Sequence, residues 1–144
     1  MGIDTLVQQL VAWARAIERV DGVVLVGSRA RGTARKDSDV DLVVLTEAPA
    51  TFLKTTLWTH AFGEPARIDR EDCGVVQSVR VHYDDGLEVE FGFARPDWAR
   101  TDVVDPATAE VIRDGARILA DKHGRLGHLL RVVNEAETRN PEAR

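Results

Sequence analysis

The chain has 144 residues, of which 44% are hydrophobic and 30% are charged, as is usual for one globular domain with a buried core. Its net charge of −5 argues against a protein that holds long nucleic acid electrostatically, because such domains are usually basic. A single cysteine, Cys73, excludes an internal disulfide, and no apolar run is long enough for a signal peptide or a membrane span, so we expect a cytoplasmic protein.

The first predicted element is an amphipathic helix over residues 4–20. Its apolar side chains recur at helical spacing and are Leu6, Leu10, Trp13 and Ile17. Asp21 and Gly22 end this helix and precede a β-branched apolar run, residues 23–26. That run predicts a buried core strand.

A turn and a basic loop follow this strand. Gly27 lacks a Cβ, so the backbone can turn tightly there and a ligand can approach closely. Ser28 then opens a short helical turn, whose free N–H groups and dipole favour phosphate. The loop adds four cations, namely Arg29, Arg31, Arg35 and Lys36. Together these features predict a phosphate-binding turn.

A second predicted strand opens on two aspartates. Because successive side chains of a strand point to opposite faces, Asp39 and Asp41 share one face. The other face is apolar and consists of Val40, Leu42 and Val44. Two carboxylates this close repel each other unless a cation lies between them. Magnesium takes oxygen ligands, usually one or two carboxylates plus substrate phosphates, so the pair predicts a magnesium site.

Residues 50–61 predict a second amphipathic helix, which ends before Gly63 and Pro65. Its inward side chains are expected to be Phe52, Leu53, Leu57 and Trp58. Residues 67–74 are polar, with acids at Asp69, Glu71 and Asp72. These acids belong either to a solvated loop or to an acceptor-binding surface, and we favour the loop.

A β-hairpin is predicted by the turn residues 84–86, Asp-Asp-Gly, between two alternating runs, residues 75–83 and 87–94. The apolar residues of both runs share one face and are Val79, Val81, Tyr83, Leu87, Val89, Phe91 and Phe93. The opposite face carries Arg80, His82, Glu88 and Glu90. Arg80 can pair with either glutamate or meet a phosphate, and we favour the pairing.

After a loop over residues 95–104, Asp105 and Pro106 form a helix start, a cap followed by proline at the first helical position. The buried side of that helix is predicted to be Ala109, Ile112, Ala116 and Leu119. A turn at residues 122–124 leads to a last short helix that buries Leu126, Leu129, Leu130 and Val133. The sequence therefore predicts a single domain over residues 1–133 and a polar, frayed tail over residues 134–144.

The residues around the two aspartates carry a resemblance to a known family. Gly27 and Ser28, a spacer, and the run Asp39-Val40-Asp41-Leu42 resemble the signature of the DNA polymerase β-like nucleotidyltransferase superfamily. More narrowly, Gly-Ser-x-Ala-Arg-Gly followed by Ser-Asp-x-Asp-Leu resembles its small bacterial members, the minimal and antibiotic nucleotidyltransferases. The stretch is not a Walker A loop, since no Gly-Lys-Ser/Thr follows the spacer.

The resemblance implies an α+β nucleotidyltransferase fold. We expect a mixed sheet of at least four strands with helices packed on one face and an open metal-binding cleft on the other. The resemblance also implies a third carboxylate from a later strand, flanked by apolar residues. Glu90 fits that pattern best and Glu88 fits it nearly as well, and we prefer Glu90, which lies deeper in the strand.

The implied activity is nucleotidyl transfer, in which an acceptor hydroxyl attacks the α-phosphorus of a triphosphate and pyrophosphate leaves. The catalytic and metal-binding residues implied by the resemblance are Asp39, Asp41 and Glu90, holding two Mg²⁺ ions. Glu90 or Asp41 is expected to take the acceptor proton.

The triphosphate site implied by the resemblance lies at the Gly-Ser turn. Gly27 and Ser28 hold the terminal phosphates, and Arg31, in preference to Arg29, neutralises the leaving pyrophosphate. By resemblance alone, the donor is expected to be ATP.

The sequence leaves two classes of acceptor open. In one, the protein modifies a small molecule and is similar to aminoglycoside or lincosamide nucleotidyltransferases. In the other, it is an antitoxin-type protein that binds, and can adenylylate, a helical HEPN toxin. A nucleotide-binding protein without catalysis is a third reading, which the intact acid set disfavours. A homodimer or a helical protein partner is compatible with the sequence, whereas a membrane or long nucleic acid is not expected.

Overall fold

The computed structural model describes residues 2–35, 38–72 and 77–139. Within these residues the chain forms six strands: β1 (Gly22–Val26), β2 (Val40–Leu45), β3 (Pro65–Asp72), β4 (Gln77–Tyr83), β5 (Glu88–Ala94) and β6 (Ala116–Asp121). The same residues form five α-helices: α1 (Ile3–Ala16), α2 (Ser28–Arg31), α3 (Thr51–Lys54), α4 (Pro106–Arg113) and α5 (Arg125–Arg139). Lys36, Cys73, the first two residues of the predicted hairpin and residues 140–144 lie outside the described residues.

The strands form one mixed sheet in the order β3-β4-β5-β2-β1-β6. Neighbouring strands are antiparallel except β2 and β5, which run parallel and set Asp41 directly opposite Glu90. On the other side of β2, Val26 at the end of β1 pairs with Asp41. The end of β1, the start of β2 and the middle of β5 therefore meet at one place on the sheet.

One face of the sheet is covered by α1, α3 and the 3-10 helix Leu57–Phe62. The buried cluster on this face includes strand residues Val23, Leu25, Val40, Leu42, Val44, Val79, Val81, Val89 and Phe91, together with Leu6 and Leu10 of α1. Aromatic rings join the layers: Phe52 stacks on Phe93 with centroids 4.6 Å apart, and Trp58 packs edge-on against Phe91 at 4.8 Å. The predicted α+β class with a mixed sheet is confirmed.

The opposite face is covered in part by α4 and α5. Its buried cluster joins Val24, Leu45 and Ala94 of the sheet to the helix residues Ala109, Ile112, Leu126, Leu129 and Val133. The helices are therefore not confined to one face, as the sequence led us to expect. They pack over the carboxyl ends of β2 and β5 and leave the acidic ends of these strands accessible to solvent, where the side chain of Asp39 is 42% exposed.

The predicted strand β1, strand β2 and the hairpin β4–β5 are confirmed, and the first helix ends at Ala16 rather than near residue 20. The prediction of a single helix over residues 50–61 is wrong. Thr55 has extended φ and ψ angles of −134° and 142° and separates α3 from the 3-10 helix. Leu57, which was expected to face inward, is 77% exposed, whereas Phe52 is buried as predicted.

The polar segment that was expected to be a loop over residues 67–74 is a strand as far as Asp72. It pairs with β4 and forms one edge of the sheet. Its backbone is therefore hydrogen-bonded to a neighbouring strand on one side only, and the strand carries many charged residues. Charged side chains are a common feature of edge strands, because they discourage pairing with other chains.

The C-terminal third differs from the prediction at two boundaries. Helix α4 ends at Arg113, and Gly115, at a φ of +132°, leads into β6. Ala116 and Leu119 therefore lie on a strand instead of on the buried side of a helix. Helix α5 continues to Arg139, so residues 134–139 of the expected tail are helical. Among the described residues, no helix is long and apolar enough to cross a membrane.

Candidate functional site

Three carboxylates converge where β2 and β5 pair in parallel. Asp39 precedes β2, Asp41 lies within β2, and Glu90 stands directly opposite Asp41 on β5. Each offers an oxygen, and the three oxygens all lie within 4.8 Å of one another. Successive side chains of a strand point to opposite faces of the sheet. Since residues 40, 42, 89 and 91 point into the core, the acids next to them in sequence point to the opposite face. The structure thus brings together the three acids singled out in the sequence.

The electrostatics of this group favour a cation. Partial burial, followed by the negative charges of Asp39 and Glu90, raises the pKa of Asp41 above its ordinary value. A divalent ion among the three carboxylates would remove both the repulsion and the cost of burying charge. Carboxylate oxygens are the ligands that Mg²⁺ takes in proteins, usually completed by substrate phosphates and water. The donor set therefore fits a hard divalent cation.

The turn after β1 lies against this group. Gly27 has φ and ψ angles of 76° and −156°, and a Cβ placed on it would fall 2.9 Å from Oδ2 of Asp41. The sequence led us to expect a ligand close to Gly27. In the structure, the group that lies close to Gly27 is the carboxylate of Asp41. Ser28 begins α2 immediately after the turn. The Gly-Ser turn and the acid group therefore form one continuous site.

We predict that Gly27→Ala impairs this site without unfolding the protein. The new methyl group would push the Asp41 carboxylate away, and alanine is strained at a positive φ, at a cost of about 1 kcal/mol or more. We expect weaker binding of Mn²⁺ in a titration and a lower melting temperature. Gly32→Ala is the matched control, since Gly32 also has a positive φ, 77°, but its Cβ would meet no atom within 4 Å. Equal metal affinity in the two variants would contradict the prediction.

The two arginines of the turn make different contacts. Nη2 of Arg29 donates to the carbonyl of Ser38 at 2.7 Å and so ties α2 to the segment that enters β2. Nη1 of Arg31 lies 2.6 Å from Oδ2 of Asp114, between α4 and β6. A Cβ on Gly115 would fall 2.6 Å from Cγ of Arg31, so the glycine makes room for the arginine. Asp114 and Gly115 were missed in the sequence because the pattern placed them inside a helix.

Arg80 of β4 lies beside the carboxylates. Its Nη1 donates to Oδ2 of Asp39 at 3.1 Å and to Glu88, and its Nη2 donates to Glu90. The expected pairing with a glutamate is confirmed and involves both glutamates, while the contact with Asp39 was not foreseen. On the other side of the Glu88 carboxylate, Nδ1 of His82 lies 3.0 Å from Oε1. Glu88 thus lies at the rim of the acid group, between the side chains of Arg80 and His82.

The sheet beyond Arg80 carries an open cavity of about 370 Å³. It is lined by Arg67, Asp69, Arg70, Glu71, Ser78, Arg80 and Glu90. Strands β3 and β4 supply all of these side chains except Glu90. Asp69 and Glu71 of β3, which the sequence analysis attributed to a solvated loop, therefore lie on the same surface as the carboxylate group.

The sequence matches the family described as the nucleotidyltransferase domain over residues 7–97, which is more than half of the chain. The chain therefore belongs to the nucleotidyltransferase domain family, and the family expected from its motifs is confirmed. The matched segment contains the Gly-Ser turn, both aspartates and Glu90. No curated protein sequence matches the chain.

Solved structures that are similar to this one share little sequence with the chain. An aminoglycoside 6-adenyltransferase from Bacillus subtilis superposes with a TM-score of 0.56 and 15% identity, over 69% of this chain and 37% of that one. A nucleotidyltransferase-like protein from Exiguobacterium sibiricum gives 0.47 and 14%, over 92% and 39%. A toxin–antitoxin structure with AMP-PNP gives 0.46 and 11%, over 94% and 90%. The chain spans little more than a third of the Bacillus protein, and that likeness shows the fold alone.

Proposed function

We propose that this protein is a magnesium-dependent nucleotidyltransferase that moves a nucleoside monophosphate, AMP from ATP, to a hydroxyl acceptor. The observation that carries the proposal is the meeting of Asp39, Asp41 and Glu90 at one end of the β2–β5 pair, next to the turn at Gly27. Membership of the nucleotidyltransferase domain family supports the reaction class.

The reaction is an in-line displacement at phosphorus. The acceptor oxygen forms a bond to the α-phosphorus, the bond from that phosphorus to the oxygen bridging it to the β-phosphate breaks, and pyrophosphate leaves with the electron pair. The acceptor proton passes to a carboxylate oxygen of Glu90, or in the alternative of Asp41. Mg²⁺, as two ions, would neutralise the triphosphate and lower the pKa of the acceptor hydroxyl. The three acids would hold these ions.

The triphosphate would lie along the turn between β1 and α2. Gly27 allows the turn to pass directly beside the carboxylate of Asp41, and the hydroxyl of Ser28 would donate to a phosphate oxygen. Arg31 stands three residues further on, and its ion pair with Asp114 holds the guanidinium at this end of the sheet. A guanidinium donates in a planar fork that suits phosphate oxygens, so Arg31 would stabilise the leaving pyrophosphate.

We predict that Arg31→Ala weakens ATP binding at least about fivefold and leaves adenosine binding unchanged, because a charge-assisted hydrogen bond to phosphate contributes more than about 1 kcal/mol. Isothermal titration with the two ligands measures the difference. Asp114→Ala is the companion variant, since it removes the carboxylate that pairs with Arg31 and keeps the charge of the arginine. Equal weakening of ATP and adenosine in Arg31→Ala would place Arg31 away from the phosphates.

The acceptor would approach over the open face of β3 and β4, where the cavity beside Glu90 lies. Two kinds of acceptor are compatible with such an open surface: a small hydroxylated molecule, and a hydroxyl side chain of a protein. Similar solved structures include an aminoglycoside 6-adenyltransferase and a toxin–antitoxin with AMP-PNP. Both kinds of acceptor are therefore included in the experiment that tests the proposal.

The proposal is tested by incubating the purified protein with α-³²P-ATP and Mg²⁺. The acceptors are aminoglycosides, lincosamides and a cell lysate resolved by electrophoresis. Label that moves to an acceptor in the presence of Mg²⁺, and is lost with EDTA, supports the transfer. Label on a small helical protein of the lysate would favour the antitoxin-type function over a small-molecule enzyme. Absence of ATP binding in a titration with Mg²⁺ would overturn the proposed function.

A further inference from the structure

The guanidinium of Arg80 occupies the rim of the candidate metal site. Nη1 lies 3.1 Å from Oδ2 of Asp39, and Nη2 donates to Oε2 of Glu90. Two of the three residues that would hold the metal are therefore already bonded to a cation carried by the chain itself. Arg80 also contacts Glu88, which lies outside the group of three.

A guanidinium and a divalent ion compete at such a site. Arginine stays protonated at any pH that the folded protein meets, so its positive charge cannot be removed by titration. Two cations a few ångströms apart repel strongly near a protein surface. The hydrogen bonds from Arg80 also use carboxylate lone pairs that metal ligation requires. Binding of a divalent ion to Asp39 and Glu90 therefore requires Arg80 to withdraw.

Glu88 gives Arg80 a place to withdraw to. It is the register partner of His82 on β4, two residues along the strand from Glu90, and faces the same side of the sheet. One of its oxygens contacts Arg80, while the other lies 3.0 Å from Nδ1 of His82. This second contact fixes the carboxylate beside Arg80, so the arginine can keep one anionic partner when it leaves the other two.

We propose that Arg80 is the built-in counter-ion of the metal-free site, and that it moves from Asp39 and Glu90 onto Glu88 when a divalent cation binds. This inference rests on the proposed function, since it takes the three acids as the metal site. Arg80 is in this sense a positioning residue: it keeps the carboxylates together before the ion arrives and sets the affinity with which the ion binds.

The sign of one measurement separates this role from a purely structural one. If Arg80 only held the acids in place, its loss would weaken metal binding. If Arg80 competes with the metal, its loss strengthens metal binding, although the metal-free protein becomes less stable because three carboxylates are left to repel one another. Metal affinity and thermal stability without metal then change in opposite directions.

The experiment titrates Mn²⁺ into the nucleotide-free full chain, with free Mn²⁺ read by electron paramagnetic resonance. We expect Arg80→Gln to bind Mn²⁺ at least about fivefold more tightly than the wild type, since removing a competing unit charge exceeds 1 kcal/mol even in a partly solvated site. Its melting temperature without metal should fall, and the rise in its melting temperature on adding Mn²⁺ should exceed the rise seen for the wild type.

Arg67→Gln is the matched control, because Arg67 lies on the same surface but bonds to Asp69, 3.0 Å away. Its Mn²⁺ affinity should change less than about twofold.

Glu88→Gln tests the second half of the inference. In the wild-type background it should weaken Mn²⁺ binding, because Arg80 loses the partner onto which it withdraws. Combined with Arg80→Gln it should have a clearly smaller effect, and equal effects in the two backgrounds would overturn the transfer to Glu88. Should Arg80→Gln fail to fold, Arg80→Lys serves, since one ammonium cannot reproduce the fork that joins Asp39 and Glu90.

The outcomes distinguish this inference from the proposed function. Wild-type or weaker Mn²⁺ affinity in the Arg80 variant would overturn the counter-ion role and leave the metal site intact. Failure of all variants, including the wild type, to bind Mn²⁺ would instead overturn the metal site on which the proposed function depends.

Discussion

Asp41→Asn is expected to abolish nucleotidyl transfer while the protein stays folded, and Asp39→Asn is expected to do the same. Each change removes an anionic ligand of the proposed metal site with almost no change in the volume of the side chain. Metal-assisted stabilisation of the transition state contributes several kcal/mol, so the rate should fall by about 10³-fold or more. Turnover of ATP with Mg²⁺ measures the loss, and circular dichroism checks the fold.

The matched control is Asp69→Asn, which removes a carboxylate from the same surface but from β3, outside the group of three. It should keep most of the activity. Asp41→Asn should also be at least as stable as the wild type when metal is absent. The substitution removes a negative charge, and with it both the cost of burying that charge and its repulsion by Asp39 and Glu90, which together raise the pKa of Asp41. Near wild-type turnover in either aspartate variant would refute the assignment of the site.

Glu90→Gln is expected to lower the transfer rate about 10²-fold or more, since in the proposed mechanism it removes both a metal ligand and the preferred proton acceptor. Binding of ATP should survive, because Asp39 and Asp41 can still hold the ion that accompanies the triphosphate. Glu88→Gln, two residues along the strand on the same face and outside the group of three acids, should recover near wild-type rates when Mg²⁺ is saturating. Steady-state rates over a range of Mg²⁺ concentrations, together with ATP titrations, separate these roles.

The alternative result is equally clear. A dead Glu88→Gln beside an active Glu90→Gln, both at saturating Mg²⁺, would move the site along β5 and overturn the choice of Glu90. The register supports the present choice, because Glu90 stands opposite Asp41 whereas Glu88 pairs with His82 on the other neighbour.

Two-residue alternation predicted from the sequence that Asp39 and Asp41 share one face, and the family resemblance singled out Glu90 as the third acid. Asp41 and Glu90 are each flanked by apolar residues that must enter the core, and Asp39 is followed by one, Val40, so the direction of all three acids is fixed wherever the strands lie in the sheet. The hairpin was equally well determined by Asp85 and Gly86 at its turn. What alternation cannot give is the order of strands, and hence the parallel pairing that brings Asp41 and Glu90 together.

The missed elements have a common physical origin in weak or ambiguous local patterns. Strand β3 is an edge strand with only one apolar side chain, Ile68, packed against the core, so its sequence resembles a loop. Ala116 and Leu119 continue the helical spacing of Ala109 and Ile112, and only the glycine at position 115 marks the change to a strand. The three-way contact of Arg80 depends on β2, β4 and β5 lying side by side, which no short window reveals.

The parallel β2–β5 pair is also the seam of the sheet. On one side lies the antiparallel ladder β6-β1-β2, on the other the antiparallel ladder β5-β4-β3, and β2–β5 is the strand pairing that joins the two. Asp41 belongs to one ladder and Glu90 to the other, so an ion shared between them, as proposed above, would connect the two ladders. Any twisting of one ladder against the other changes the separation of the two carboxylates directly. Occupancy of the proposed site and hydrogen-exchange protection of the β2 and β5 amides would for this reason be thermodynamically linked.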